Sequence, residues 1–259
     1  VVIVGNNVAG VTAARTIRVL SPDDEIVIFS AQPYHYYPRP MLVEFIAGSL
    51  PEEKLILHKP EWYAKNRLDV RLSTRVERID AAKKAVLADG EWHAYDRLVL
   101  ATGASPFIPP IPGLPKKWVV TLRTLEDAKK LRGRAPDVRS AAIIGGGLLG
   151  LETANALRRA RPGMRVHLLE LGEYLLPRQL DAEGAAVLEK MIAPLGIDLH
   201  PQAEVASIEG TDEEMIVKLK TGDAIEAQLV MISAGVRPNV QLAKDAGLAT
   251  GRGVTVDSG

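Results

Sequence analysis

Gly145, Gly147 and Gly150 stand at the three glycine positions of a GxGxxG turn. The turn follows an apolar run, AAII (141–144), and opens a helical pattern rich in leucine and alanine, LLGLETANAL (148–157). Glu170 lies 20 residues beyond Gly150, at the end of the next apolar run, RVHLLE (165–170). Each part has a physical reason. Gly145 permits a tight turn from strand to helix, Gly147 lets a pyrophosphate approach the backbone, and Gly150 lets helix and strand pack closely. The helix N-terminus then presents unpaired N–H groups to the phosphates. Glu170 can accept hydrogen bonds from both hydroxyls of a ribose, and its charge opposes a 2′-phosphate, so NADH is expected over NADPH. The same glycines would also serve a tight turn without a ligand. The flanking strand, the helix and Glu170 select the dinucleotide reading.

A second turn of this kind opens the chain, VVIVGNNVAGVTAA (1–14). Gly5 and Gly10 are present, but the middle position is Asn7, whose side chain crowds the approach of a pyrophosphate. The ribose position, 20 residues past Gly10, is Ser30, followed by Ala31 and Gln32. One hydroxyl offers less acceptor capacity than a carboxylate. Taken alone, this half reads either as a dinucleotide turn or as a nucleotide fold whose site has decayed.

The two turns begin two similar series. After each helix comes a second apolar strand, EIVIFS (25–30) and RVHLLE (165–170). Then follow LDVRL (68–72), RVERID (75–80), KAVLA (84–88) and RLVLATGA (97–104) in one half. The other half has IDLH (197–200), EVASIE (204–209), EMIVKLK (214–220) and QLVMISAGV (228–236). Hairpin signals, ADGE (88–91) and KTGD (220–223), recur at matching places. The order predicts an α/β protein of two doubly wound, Rossmann-like domains. Between them, GASPFIPPIPGLPKKW (103–118) carries five prolines in PFIPPIPGLP and is expected to be a stiff, extended crossing segment. A helix is expected over TLEDAKKLRGR (124–134), with Thr124 as N-cap and acidic residues in its first turn.

Composition narrows the chemistry. The 259 residues hold 32 basic and 32 acidic side chains, so a broadly basic surface for nucleic acid is excluded. There is no cysteine, which removes disulfides, thiol nucleophiles and cysteine-held metal or iron–sulfur centres from this chain. The longest apolar stretch, AAIIGGGLLGL (141–151), is too short and too glycine-rich for a membrane span, and a cytoplasmic protein is expected. His35, His58, His93, His167 and His200 lack metal-ligand spacing and read as surface or packing residues; no metal site is expected. Tyr34, Tyr36, Tyr37 and Tyr63 read as packing residues and TDEE (211–214) as a solvated turn.

The order of a GxGxxG-like first turn, ATGA (101–104), the complete fingerprint GGGLLGLE (145–152) and AGVRPN (234–239) resembles the FAD-dependent pyridine nucleotide-disulfide oxidoreductase superfamily. PYHYYPRPMLVEFIAG (33–48), TLRTLEDA (121–128) and LLPRQLDAE (175–183) resemble its NADH:rubredoxin oxidoreductases and the FAD/NAD part of NADH-dependent nitrite reductases. The resemblance implies a discontinuous FAD-binding domain over 1–108 and 232–259 and an NAD(H)-binding domain over 109–231. It implies that Gly5, Asn7 and Gly10 lie along the FAD pyrophosphate and Ser30 at the adenosine ribose. Arg39 and Pro40 would lie near the isoalloxazine, Val76 would face the adenine, and Ala101, Thr102 and Gly103 would cross near FAD. Arg123 falls in a segment returning towards the flavin. Gly145, Gly147, Leu148, Leu149, Gly150 and Glu170 would hold NADH, Glu152 would lie near the nicotinamide–flavin contact, and Gly235 would close over the nicotinamide side.

The implied activity is hydride transfer from NADH to FAD, then electron transfer to a protein acceptor: rubredoxin, ferredoxin, or a haem or iron–sulfur module. Two other readings stay open, the reductase module of a nitrite reductase large subunit and a non-catalytic dinucleotide-binding subunit with a degenerate FAD site. The chain lacks the family's Gly-Asp motif and C-terminal interface domain after GRGVTVDSG (251–259), and it starts at Val1. It therefore reads as cut at both ends, with any homodimer formed through the missing domain.

Overall fold

The computed structural model describes residues 1–257, which form two compact units. Ser258 and Gly259, the end of GRGVTVDSG, lie outside the described residues. The first unit comprises Val1–Pro38, Glu52–Ser105 and the chain from Arg237 onward; the second comprises Arg39–Pro51 and Pro106–Val236.

In the first unit, strands Leu68–Arg71, Ile26–Phe29, Val2–Val4 and Leu98–Leu100 lie side by side in that order, all parallel. A continuous apolar run suits a parallel strand because both its faces are covered. Val2 and Val4 join Phe29, Val76, Ile79 and Val86 in one core. Ile3 faces the other way, onto Ala14, Ile28 and Tyr63. The first core is closed by an antiparallel sheet of Val76–Asp80, Ala85–Ala88 and Glu91–Ala94.

The second unit repeats the plan. Its parallel sheet runs Ile197–His200, Arg165–Leu169, Ser140–Ile144, Leu229–Ile232 and Val119–Val120. Its antiparallel sheet is Val205–Gly210, Met215–Leu219 and Ala224–Ala227. Ala142, Ile144, Leu169, Val230 and Ile232 meet Ile208, Met215, Val217 and Ile225 in one buried cluster. Helix Leu125–Arg134 begins as expected. Thr124 accepts a hydrogen bond from the Asp127 N–H at 3.2 Å, and Asp127 accepts one from the Thr124 N–H at 2.8 Å, a reciprocal capping box.

Two features depart from the expected division. Arg39–Pro51, placed by sequence inside 1–108, belongs to the second unit. The reason is its helix Leu42–Ile46, which buries Leu42, Val43, Phe45 and Ile46. The Arg132 guanidinium lies 4.5 Å from the Phe45 ring centre, and Arg159 donates to both oxygens of Glu44 at 2.9 and 3.1 Å. The proline-rich stretch, expected to be a stiff, extended crossing segment, is docked along its length on the second unit. Ile111 is buried in the second unit's core with Leu114 and Trp118 against it. The Ile208 N–H donates to Pro112 O at 2.9 Å, and a Cβ at Gly113 would lie 1.9 Å from Ile208 O. Val119–Val120 then completes the sheet as its edge strand.

Candidate functional site

The two glycine turns are built by the same backbone contacts. Gly5 and Gly145 have φ of +116° and +118°, a conformation that L side chains rarely adopt. A Cβ on Gly5 would lie 2.2 Å from Ala101 O, and one on Gly145 would lie 2.4 Å from Ser233 O. A Cβ on Gly10 would meet Gly5 O at 1.9 Å; on Gly150 it would meet Gly145 O at 2.0 Å. These four glycines are therefore demanded by the strand–helix turn itself. Gly147 is different: a Cβ there would meet nothing within 4 Å. It stands as N-cap of helix Leu148–Ala160, with extended backbone and no side chain to occupy the space at the helix start. That open backbone is what a pyrophosphate needs.

Glu170 is fixed rather than free. Its two carboxylate oxygens accept the Gly146 N–H at 2.8 Å and the Gly172 N–H at 2.7 Å. Each oxygen keeps acceptor capacity, because a carboxylate offers about four lone-pair sites. The backbone of the first turn residue thus aims the carboxylate beside the helix N-terminus. Neither amide donor was legible in the sequence, because both are backbone groups of glycine. Leu148 and Leu149 are the exposed first residues of the helix, and Glu152 is exposed one turn further on. The Gly235 carbonyl accepts the Phe107 N–H at 2.9 Å.

The first turn differs in its side chains. Asn7 takes the N-cap position of helix Val8–Leu20 without a side-chain capping bond. Asn6 is buried at 7% exposure, and its Oδ1 accepts the Tyr63 hydroxyl at 2.9 Å. Asn6 Nδ2 is buried with no hydrogen-bond partner. An orphan donor in a phosphate-type turn is a group that an anionic oxygen would satisfy. Tyr63, read from sequence as packing, does pack in the core with Ile3 and Ala14, and its hydroxyl also anchors this turn; its oxygen accepts the Tyr36 N–H at 3.1 Å. Desolvation by burial is the main cause that raises the Tyr63 pKa above its usual value, so its hydroxyl keeps its proton for Asn6. Ser30 is buried and donates to Gln32 O at 3.2 Å, a local turn that ties up its proton.

The ATG turn is held by a residue not singled out from sequence, Asn239 of AGVRPN. Asn239 Nδ2 donates to Thr102 O at 2.8 Å, and its N–H donates to Gly103 O at 2.9 Å. Thr102 Oγ1 donates back to Asn239 O at 2.8 Å, and Ser105 donates to Asn239 Oδ1 at 2.7 Å. These four bonds close across more than 130 residues of chain, so no local pattern reveals them. Ala101 is buried, and its N–H donates to Val4 O at 2.9 Å, beside Gly5. Val76 starts the antiparallel sheet at a register shift. Arg39, Pro40 and Arg123 lie in the second unit. Among the described residues no group of three His, Asp or Glu side chains could hold a metal. Nor is any of their helices long and apolar enough to cross a membrane.

The family description "pyridine nucleotide-disulphide oxidoreductase" matches residues 1–259. The chain belongs to this family. Its fold and its two glycine turns accord with that family's FAD and NAD(H) cofactors. It is 35% identical over 258 residues to the nitrite reductase [NAD(P)H] of Bacillus subtilis, covering 99% of this chain and 32% of that protein. It is 34% identical over 260 residues to the rubredoxin-NAD(+) reductase of Pseudomonas putida, covering 99% of this chain and 67% of that protein. Among solved structures, a ferredoxin reductase from Rhodopseudomonas palustris superposes with a TM-score of 0.92 at 28% identity. It covers 98% of this chain and 63% of that one. The chain thus spans about a third of the nitrite reductase and about two thirds of the rubredoxin reductase.

Proposed function

We propose that this chain is the FAD- and NADH-binding part of a flavoprotein oxidoreductase that takes a hydride from NADH and passes electrons to a protein acceptor of the rubredoxin or ferredoxin type. The carrying observation is the paired construction of the turns. The same two glycine collisions form each one, with open backbone at Gly147 and an orphan donor at Asn6. In this reading the first unit holds FAD along Gly5, Asn7 and Gly10, with Ser30 and Val76 towards the adenosine. Ala101, Thr102 and Gly103, locked by Asn239, form the wall that crosses near the flavin. FAD, when bound, supplies a hydride acceptor that can release its electrons singly.

The chain's own residues bind and orient. Gly147 and the helix start of Leu148 and Leu149 take the NADH pyrophosphate. Gly146 and Gly172 hold Glu170 so that it accepts from the ribose hydroxyls, and Gly235 and Glu152 lie towards the nicotinamide. No side-chain nucleophile or general base is required for hydride transfer, consistent with a chain that has no cysteine.

A visible spectrum tests the reading. The purified complete protein is expected to be yellow and to be bleached by NADH under anaerobic conditions. A chain that takes up no flavin sinks the reductase reading and favours the non-catalytic nucleotide-binding alternative, which Asn7 and the locally bonded Ser30 support. The similarity to nitrite reductase over 99% of this chain supports a second reading, the reductase module of that enzyme. Electron transfer to rubredoxin and ferredoxin, assayed side by side with nitrite reduction by the complete protein, separates the two.

Glu170→Gln is expected to lower the NADH-to-NADPH ratio of kcat/KM by about tenfold, since a fixed negative charge facing the 2′ position is lost. Glutamine keeps one acceptor for the backbone amides, whereas alanine would leave both unpaired, at about 1–3 kcal/mol each. An unchanged ratio in steady-state kinetics would remove Glu170 from specificity.

A further inference from the structure

The variable position of the second turn, Gly146, is also glycine, and the reasons that demand Gly145 and Gly150 do not apply to it. Its φ lies outside the left-handed region, so alanine could adopt its backbone. A Cβ there would collide with side chains and not with backbone. It would lie 2.6 Å from Leu175 Cδ2, 2.9 Å from Glu170 Cβ and 2.9 Å from Glu170 Oε2. Gly146 is buried, so the space of the missing Cβ is taken by these two side chains.

The two neighbours differ in freedom. Leu175 is 3% exposed, and the chain beside it is tethered, since the Leu176 N–H donates to Gly146 O at 3.4 Å. Glu170 is half-buried, and its carboxylate is aimed by the Gly146 and Gly172 N–H groups. A methyl group forced into this space therefore swings the carboxylate aside. The bond that breaks first is the 2.8 Å one from the Gly146 N–H, because the methyl stands on that same residue. The first turn gives an internal contrast. Asn6 occupies the matching position, its side chain bonds Tyr63, and the residue matching Glu170 is Ser30. The turn with a side chain at this position has no acid at the ribose position; the turn with glycine has one packed against it.

We propose that Gly146 is a positioning residue for nucleotide specificity: its missing Cβ is the space in which the Glu170 carboxylate is set against the turn. The inference rests on the proposed function, in which the second turn takes NADH. Discrimination against a 2′-phosphate is then decided at residue 146 as well as at residue 170, and Leu175 is the wall that leaves the carboxylate no second place.

Calorimetric titration of the purified complete protein with NAD⁺ and NADP⁺ tests it, the oxidised nucleotides avoiding turnover. Gly146→Ala is expected to lower the ratio of NAD⁺ to NADP⁺ affinity about tenfold, the scale of one lost hydrogen bond to a charged group. In a Glu170→Gln background the same substitution should change the ratio by less than about twofold, because the carboxylate it acts through is already gone. The melting temperature of Gly146→Ala should stay within about 5 °C of the wild type, since only side chains are displaced. An unchanged ratio overturns the proposal, whether neither nucleotide weakens or both weaken equally through general damage to the turn. So does a ratio change of full size in the Glu170→Gln background. A Gly146→Ala protein that no longer folds also overturns it, by placing Gly146 with Gly145 and Gly150. A wild-type protein that binds neither nucleotide refutes the NADH assignment of the second turn, and this inference with it.

Discussion

Gly147→Glu is expected to abolish reduction of bound flavin by NADH while leaving flavin content and thermal stability unchanged. The position has an ordinary φ of −72°, and a Cβ there meets nothing, so the fold loses no contact. The new carboxylate occupies the space reserved for a pyrophosphate and repels it. A loss of about 3 kcal/mol of binding corresponds to roughly 100-fold in NADH affinity. Stopped-flow reduction with NADH, against photochemical reduction of the same sample, separates lost nucleotide binding from lost flavin. If Gly147→Glu also strips the flavin, the assignment of one cofactor to each unit is wrong.

The opposite phenotype is expected one turn later. Gly150→Val should destabilise the second unit outright, because a Cβ at that position would lie 2.0 Å from the Gly145 carbonyl oxygen. That neighbour is the backbone of the turn itself and cannot yield. Overpacking of this kind costs about 1–3 kcal/mol when side chains can adjust, and more against backbone. A fall in melting temperature of roughly 10 °C is expected, from about 2–4 °C per kcal/mol for a domain of this size. Gly10→Val should do the same to the first unit, where the corresponding distance is 1.9 Å. Scanning calorimetry decides. If Gly150→Val melts with the wild type, the close helix–strand contact is not what requires glycine there. Three glycines of one motif therefore divide by cause: Gly145 and Gly150 serve the fold, whereas no packing contact demands Gly147, which the proposed function gives to the ligand.

That division shows where sequence reading is strong. A positive φ or a missing Cβ is a property of one residue, so Gly5, Gly10, Gly145 and Gly150 announce their turns without any neighbour. Continuous apolar runs such as AAII (141–144) are legible for a similar reason, since a strand covered on both faces needs no alternation. Strand Glu91–Ala94 gave no such signal. Its residues are mostly exposed, and it forms only because Ala85–Ala88 offers it a ladder.

The unread parts all depend on partners far along the chain. Leu42, Val43, Phe45 and Ile46 declare an apolar helix, but not that Arg132 and Arg159 will hold it in the second unit. Proline composition declares a stiff segment, but not that Ile111 will be buried under the antiparallel sheet. Asn239, Tyr63 and the amides that aim Glu170 act through single hydrogen bonds between distant residues. By itself the sequence determined the two doubly wound halves and the glycine turns, because those are set by local backbone freedom and apolar runs. The tertiary structure alone decided which unit carries Arg39–Pro51 and what anchors each turn. Burial and long-range hydrogen bonding exist only once the chain has closed.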